Sequence, residues 1–135
     1  MDTGLSNPSD YALHLTRRAR GLPLWYSLAT HGTEAYAKAV ARTLEIAHRI
    51  ADGINATEGL DLLLGPQLSV ILFRPTDMAD QTMEAWAEVH RRSGALLCLP
   101  TTWSGQKVFR LCIVNPQTDP DQVLAVISTL KDLQP

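Results

Sequence analysis

Cysteine is scarce, with 2 in 135 residues, and no disulfide framework can be built from that number. Aromatic residues make up only 6% of the chain. The basic residues are not interleaved with them, so a base-stacking nucleic-acid surface has no support. Neither sign of charge dominates: 12 Lys and Arg stand against 14 Asp and Glu, a formal net charge of −2. That is no electrostatic footprint for a polyanion. No apolar run approaches the roughly 18 residues a membrane-spanning helix needs. The histidines, His14, His31, His48 and His90, fall in no HExxH or comparable ligand spacing, which argues against a metal site. A glycine-rich phosphate loop is missing, as is a GxSxG nucleophile elbow. The opening MDTGLSNPSDYALH has no basic segment followed by an apolar one. No secretory leader is therefore expected, and the cytoplasm is the expected compartment.

What remains is an ordinary globular composition, 45% hydrophobic and 19% charged. The length suits one domain with one core. It is too short for a complete two-domain enzyme with a large cofactor cleft. Residues 1–10, with Gly4, Pro8 and several Ser, Thr and Asp, read as a flexible arm, and 11–135 read as the domain. Thr16-Arg17-Arg18-Ala19-Arg20 concentrates positive charge, most simply as a solvated or partner-facing surface.

Residues 22–29 are apolar, with Pro23 placed where the first turn of a helix tolerates it. His31-Gly32 breaks the pattern, and Thr33 is a fitting N-cap for the next helix. Over 33–54, Tyr36, Val40, Thr43, Ala47, Ile50 and Ile54 recur at three- and four-residue spacing, the stripe of an amphipathic helix. Gly53 and Asn55 suit its end. Residues 60–64 and 68–74 read as strands joined through Gly65-Pro66-Gln67. The second, LSVILFR, is nearly continuous in apolar residues and predicts a central strand. A helix is expected over 77–93, with Ala79, Met83, Trp86, Ala87 and His90 on one face, and Gly94 ends it. Residues 95–103 and 107–114 are the next two strands, with Ser104-Gly105-Gln106 as their hairpin turn. Asp119 caps the last helix, with Pro120 at its first position. This order implies an α+β domain, a mainly antiparallel four-stranded sheet with helices packed on one face.

Arg110 is the sharpest single residue. It sits within VFRLCIV and by alternation shares a face with Val108, Cys112 and Val114. A charge in such a strand either finds an anionic partner or lies on an open edge, because an unpaired buried charge is costly. Its plainer reading is a structural ion pair or a solvated face. Cys98 and Cys112 fit as free buried cysteines on neighbouring strands. Trp25, Trp86 and Trp103 fit as core or interface residues.

Several segments in order resemble one family. Thr16-Arg17-Arg18-Ala19-Arg20-Gly21-Leu22-Pro23-Leu24-Trp25 resembles the S/G-R-R-x-x-x-L-K-L-W stretch of the group II pyridoxal-phosphate-dependent amino-acid decarboxylases. These include the aromatic-amino-acid, glutamate, tyrosine, histidine and diaminobutyrate decarboxylases. LSVILFRP resembles the family's L-S-x-V-x-F-R strand. Pro100-Thr101, Gly105 and Phe109-Arg110 resemble S-P-T-x-x-x-G-x-x-x-L-R, and Val114-Asn115-Pro116-Gln117-Thr118 resembles x-N-P-x-T. Pro23 and Thr16 depart from the pattern, which has lysine and Ser or Gly there.

The resemblance covers the C-terminal small domain of a fold-type I pyridoxal-phosphate enzyme. It implies a carbon–carbon lyase acting on an L-amino acid, with pyridoxal phosphate as cofactor. In that family a lysine following a histidine forms the Schiff base, an aspartate pairs with the pyridine nitrogen and a histidine stacks on the ring. The lysines here are Lys38, Lys107 and Lys131, and none follows a histidine. The implied cofactor-binding lysine is therefore not in this chain, which is expected to be inactive by itself. Arg110 matches the arginine that in glutamate decarboxylases binds the substrate α-carboxylate. A planar guanidinium suits that task by gripping both oxygens. Thr101 is a second candidate at the cleft edge, beside its plainer reading as a turn residue. Arg17 and Arg18 match as structural or inter-domain contacts. The implied partners are the missing large domain, in the same polypeptide or a separate one, and a second copy, since the family is dimeric. No nucleic acid or membrane partner is implied. A non-catalytic interaction module and a gene remnant of the same fold are the alternatives. The substrate amino acid stays open.

Overall fold

The computed structural model describes residues 19–133. The arm expected at 1–10, and Arg17 and Arg18, lie outside the described residues. The chain forms two compact units divided between Tyr36 and Ala37.

In the first unit, helix α1 (Gly21–Asn55) begins and is interrupted at Gly32, whose φ of 78° and ψ of 157° are not helical. Glycine alone adopts that conformation without penalty, so the break expected at His31-Gly32 is found there. The hydroxyls of Ser27 and Tyr36 hydrogen-bond each other from either side of it. Leu22, Leu24, Trp25 and Tyr26 are largely exposed, with the Trp25 and Tyr26 rings edge to face at 5.1 Å. Trp25 is thus not a core residue.

The second unit holds the rest of α1 and then β1 (Leu60–Gln67), β2 (Val70–Pro75), α2 (Asp80–Ser93), β3 (Leu99–Trp103), β4 (Gln106–Cys112) and α3 (Pro120–Ser128). A short 3-10 turn follows at Lys131–Leu133. The strands form one antiparallel sheet in the order β1-β2-β4-β3. This is the expected α+β architecture. Ile71, Phe73, Phe109 and Leu111 of the two central strands join Ile46, Ile50 and Ile54 of α1, Met83 and Trp86 of α2, and Val123 and Ile127 of α3 in one buried cluster. The helices therefore cover one face. Phe109 is the hub, with its ring 5.4 Å from Phe73 and 5.2 Å from Trp86. Only the later turns of the α1 stripe reach the core: Ala47, Ile50 and Ile54 are buried, while Val40 is exposed.

Gly65-Pro66-Gln67 is not the connection that its composition suggested. It belongs to β1, and the turn is Leu68-Ser69, with Gln67 opposite Val70. Leu68 takes a left-handed φ of 56°. β1 tolerates Pro66 because it is an edge strand with register shifts after Leu62 and after Leu64. Residues 95–98 also fall outside the ladder, and β3 starts at Leu99. The apolar content of 95–98 reflects burial of Leu96 and Cys98, not pairing. The β3–β4 turn is two residues, Ser104 and Gly105, at φ 49° and 80°. Two consecutive positive φ values are the hairpin geometry that matches strand twist. Helix α2 starts at Asp80 instead of residue 77, after an Ala79 with no side-chain cap. Asp119 does cap α3, accepting from the Asp121 N–H at 2.9 Å, with Pro120 at the first position. Gly53 is a contact residue as well as a helix end: a Cβ there would stand 2.5 Å from Leu124 Cδ1. No helix among the described residues is long and apolar enough to cross a membrane.

Candidate functional site

Arg110 lies on the central strand β4, opposite Leu72 on one side and Leu99 on the other. Its neighbours in sequence, Phe109 and Leu111, point into the helix-covered core. By alternation Arg110 stands on the opposite face, with Leu72 and Val108, which are buried. Its side chain is exposed, and no hydrogen bond or ion pair to another described residue holds it. Arg110 has no anionic partner among the described residues and is not on an edge strand; its exposure fits the plainer reading of a solvated face.

Arg110 opens into a cleft of about 330 Å³. The walls come from the segment before β3, from the end of β4 and from the start of α3. Leu97, Leu99, Ile113, Val114, Thr118 and Val123 are among the lining residues. Leu97, Leu99 and Val114 are 60%, 41% and 82% exposed. Arg110 is the cleft's only charged group among the described residues. The size is at the small end of ligand pockets, which run about 300–1,000 Å³ and are mostly apolar with few polar groups.

Local folding explains the cleft. The ladder of β4 ends at Cys112, though the Ile113 N–H still donates to Ser69 O at 2.9 Å. The chain then turns at Asn115, whose Oδ1 accepts from the Gln117 N–H at 2.9 Å while its carbonyl accepts from the Thr118 N–H at 3.1 Å. That turn sets Thr118 in the wall of the same cleft. Thr118 is a lining residue that the sequence analysis does not single out. Its signal lay in the x-N-P-x-T segment. The apolar rim of Leu97, Leu99 and Val114 had no signal separable from a strand pattern.

Thr101 shares the sheet face of Arg110, since it is opposite Val108, two residues away on β4. It is half-buried within β3 and not in a turn. It does not line the cleft. Cys98 precedes β3, buried in the core cluster, with its Sγ 3.9 Å from the Arg110 carbonyl oxygen. Burial, with a smaller contribution from Cys112, pushes its thiol well up. It is therefore no nucleophile at neutral pH. Both cysteines are free.

The lysines do not fit a covalently held pyridoxal phosphate. The Lys107 ammonium is 2.7 Å from Glu84 Oε1. That hydrogen bond and charge raise its pKa, keeping it protonated and a poor nucleophile. Lys38 is in α1 and Lys131 in the final 3-10 turn. No lysine, histidine or carboxylate is among the residues that line the cleft.

No family model matches the chain. The L-2,4-diaminobutyrate decarboxylase of Acinetobacter baumannii is 38% identical over 71 residues, 53% of this chain and 14% of that protein. The aromatic-L-amino-acid decarboxylase of Bacillus atrophaeus is 25% identical over 96% of this chain and 28% of its own length. Among solved structures, the glutamate decarboxylase domain of a diaminobutyrate-pyruvate transaminase and L-2,4-diaminobutyrate decarboxylase from Vibrio parahaemolyticus superposes with a TM-score of 0.75. It is 23% identical and covers 92% of this chain and 28% of that one. Oryza sativa TDC, solved with PLP and tryptamine, gives a TM-score of 0.78 at 17% identity, covering 96% and 30%. The structural likeness shows the fold. The sequence relatives are amino-acid decarboxylases, as the motifs implied, and the chain spans under a third of their length.

Proposed function

We propose that this chain is the C-terminal small-domain portion of a pyridoxal-phosphate-dependent amino-acid decarboxylase, with Arg110 as the group that holds the substrate carboxylate. The observation that supports this reading is the arginine itself, on a central strand without a partner among the described residues and lining an apolar cleft. A guanidinium so placed presents its fork to a carboxylate, which it can hold by two charge-assisted hydrogen bonds. Fixing the carboxylate orients the bond to be broken, a gain of position and not of covalent chemistry. The cofactor, when bound, supplies the electron sink for that bond. Its residues belong to the remaining polypeptide, because the lysines described here do not fit it. The chain is accordingly not catalytic alone. It works with the large domain, in the same polypeptide or a separate one, in a cytoplasmic homo-oligomer.

Two measurements test this. Pyridoxal phosphate added to the purified chain should give no saturable visible absorption and no mass gain after borohydride reduction. Adding the Bacillus atrophaeus enzyme with its matching 28% removed should restore carbon dioxide release from an L-amino acid. Arg110→Ala should abolish the restored activity. Binding between the two polypeptides without activity would instead favour a non-catalytic interaction module.

A further inference from the structure

The chemistry of the cleft narrows what enters it. Its one cation is Arg110, and Thr118 adds a hydroxyl, while the rim is Leu97, Leu99 and Val114. No acidic side chain is among the lining residues. The acidic groups next in sequence are both occupied. Asp119 accepts from the Asp121 N–H at 2.9 Å, and the Asp121 carboxylate takes Arg49 at 2.7 Å. An ammonium entering the cleft would meet the like charge of Arg110 and no carboxylate among the lining residues. A second carboxylate would meet leucine and valine. A carboxylate joined to an apolar body meets a guanidinium at one end and apolar walls around the rest.

We infer that the cleft selects an apolar monocarboxylate, with Leu97, Leu99 and Val114 as its specificity-determining rim. This rests on Arg110 recognising a carboxylate. It goes beyond that reading by choosing among carboxylates. In a complete decarboxylase it favours amino acids whose side chains are uncharged and apolar. The relative at 38% identity is named for a diamino acid, and the part of the site described here has no acidic group for a second ammonium.

The test is a titration of the full chain followed by amide proton–nitrogen spectra, with five probes: 3-phenylpropionate, its neutral amide, acetate, glutarate and 4-aminobutyrate. The expected result is saturable shifts at Leu97, Leu99 and Val114 with 3-phenylpropionate. The amide should bind at least about tenfold more weakly, the loss expected for one charge-assisted contact. Acetate, glutarate and 4-aminobutyrate should fall by about tenfold or more, since apolar contacts of this size are worth about 10–200-fold. Arg110→Gln and Leu97→Asp should each weaken 3-phenylpropionate by a similar factor. The amide comparison uses the unaltered chain and does not depend on a variant's folding. If every carboxylate binds equally through Arg110, or 4-aminobutyrate binds best, the apolar selectivity is wrong and carboxylate recognition stands. If no carboxylate binding depends on Arg110, both are wrong.

Discussion

The indole N–H of Trp86 donates to the hydroxyl of Thr129 at 2.9 Å, and that hydroxyl in turn donates to the Val126 carbonyl at 2.7 Å. One side chain thus satisfies a mostly buried indole on α2 and closes the end of α3. Thr129→Val keeps the shape and removes both bonds. The expected loss is about 1–3 kcal/mol, the cost of leaving a buried donor unpaired. Thr129→Ser should recover most of it. Urea denaturation of the three chains decides, and a Val variant as stable as the parent would show that the indole finds water instead.

Asp119 makes the second local prediction. Its carboxylate accepts the Asp121 N–H at 2.9 Å, an orphan donor of the first turn of α3. Asp119→Ala should cost about 1 kcal/mol and Asp119→Asn much less. The same cap also supports the wall that carries Thr118. The alanine variant should therefore broaden the Thr118 amide resonance.

Glu88 makes a pH prediction. Its carboxylate binds Arg91 through Nε at 2.7 Å and Nη2 at 2.8 Å, and Arg92 through Nε at 2.5 Å. The hydrogen bond from Arg91, then that from Arg92, lowers its pKa from the ordinary 4.5 to about 2. A carboxylate depressed in the folded state binds protons more readily when unfolded. Its contribution to stability is therefore complete above pH 4.5 and is lost as pH falls towards 2. A carboxyl carbon titration should place the midpoint near 2. Glu88→Gln should flatten stability across that window. Since the group is on the surface, added salt should shrink the effect.

The helices were legible because their signals are local. The His31-Gly32 break, the Asp119-Pro120 cap and the buried spacing of Ala47, Ile50 and Ile54 all follow from neighbours in sequence. The hairpins were legible as hairpins, but β1 was cut short at Gly65-Pro66. Whether proline ends a strand depends on which strands flank it, and β1 is on an edge. Arg110 is singled out by sequence because one charge in an apolar strand is conspicuous. Its cleft was not, because Leu97 and Val114 look like strand residues until the ladder is seen to stop short of both.

Arg110 and Arg74 give the contrast by which the proposed recognition role can be tested against a structural one. They sit on neighbouring strands of one sheet. Arg74 is locked: it donates to the carbonyl oxygens of Lys107 and of Met78, the latter at 3.3 Å, and lies 3.4 Å from Asp80 Oδ1. Those bonds tie β2 to β4 and to the entry of α2. Arg74→Gln strips partners from half-buried carbonyls and should cost about 1–3 kcal/mol. Arg110 has no such bonds, so Arg110→Gln should move stability by no more than about 0.5 kcal/mol, the range of an exposed substitution. Urea midpoints of the two variants, measured at equal ionic strength, separate the roles. A residue kept for binding is dispensable to the fold, and a structural residue is not. If Arg110→Gln destabilises the chain as much as Arg74→Gln does, Arg110 is a structural residue and the carboxylate site must be sought elsewhere.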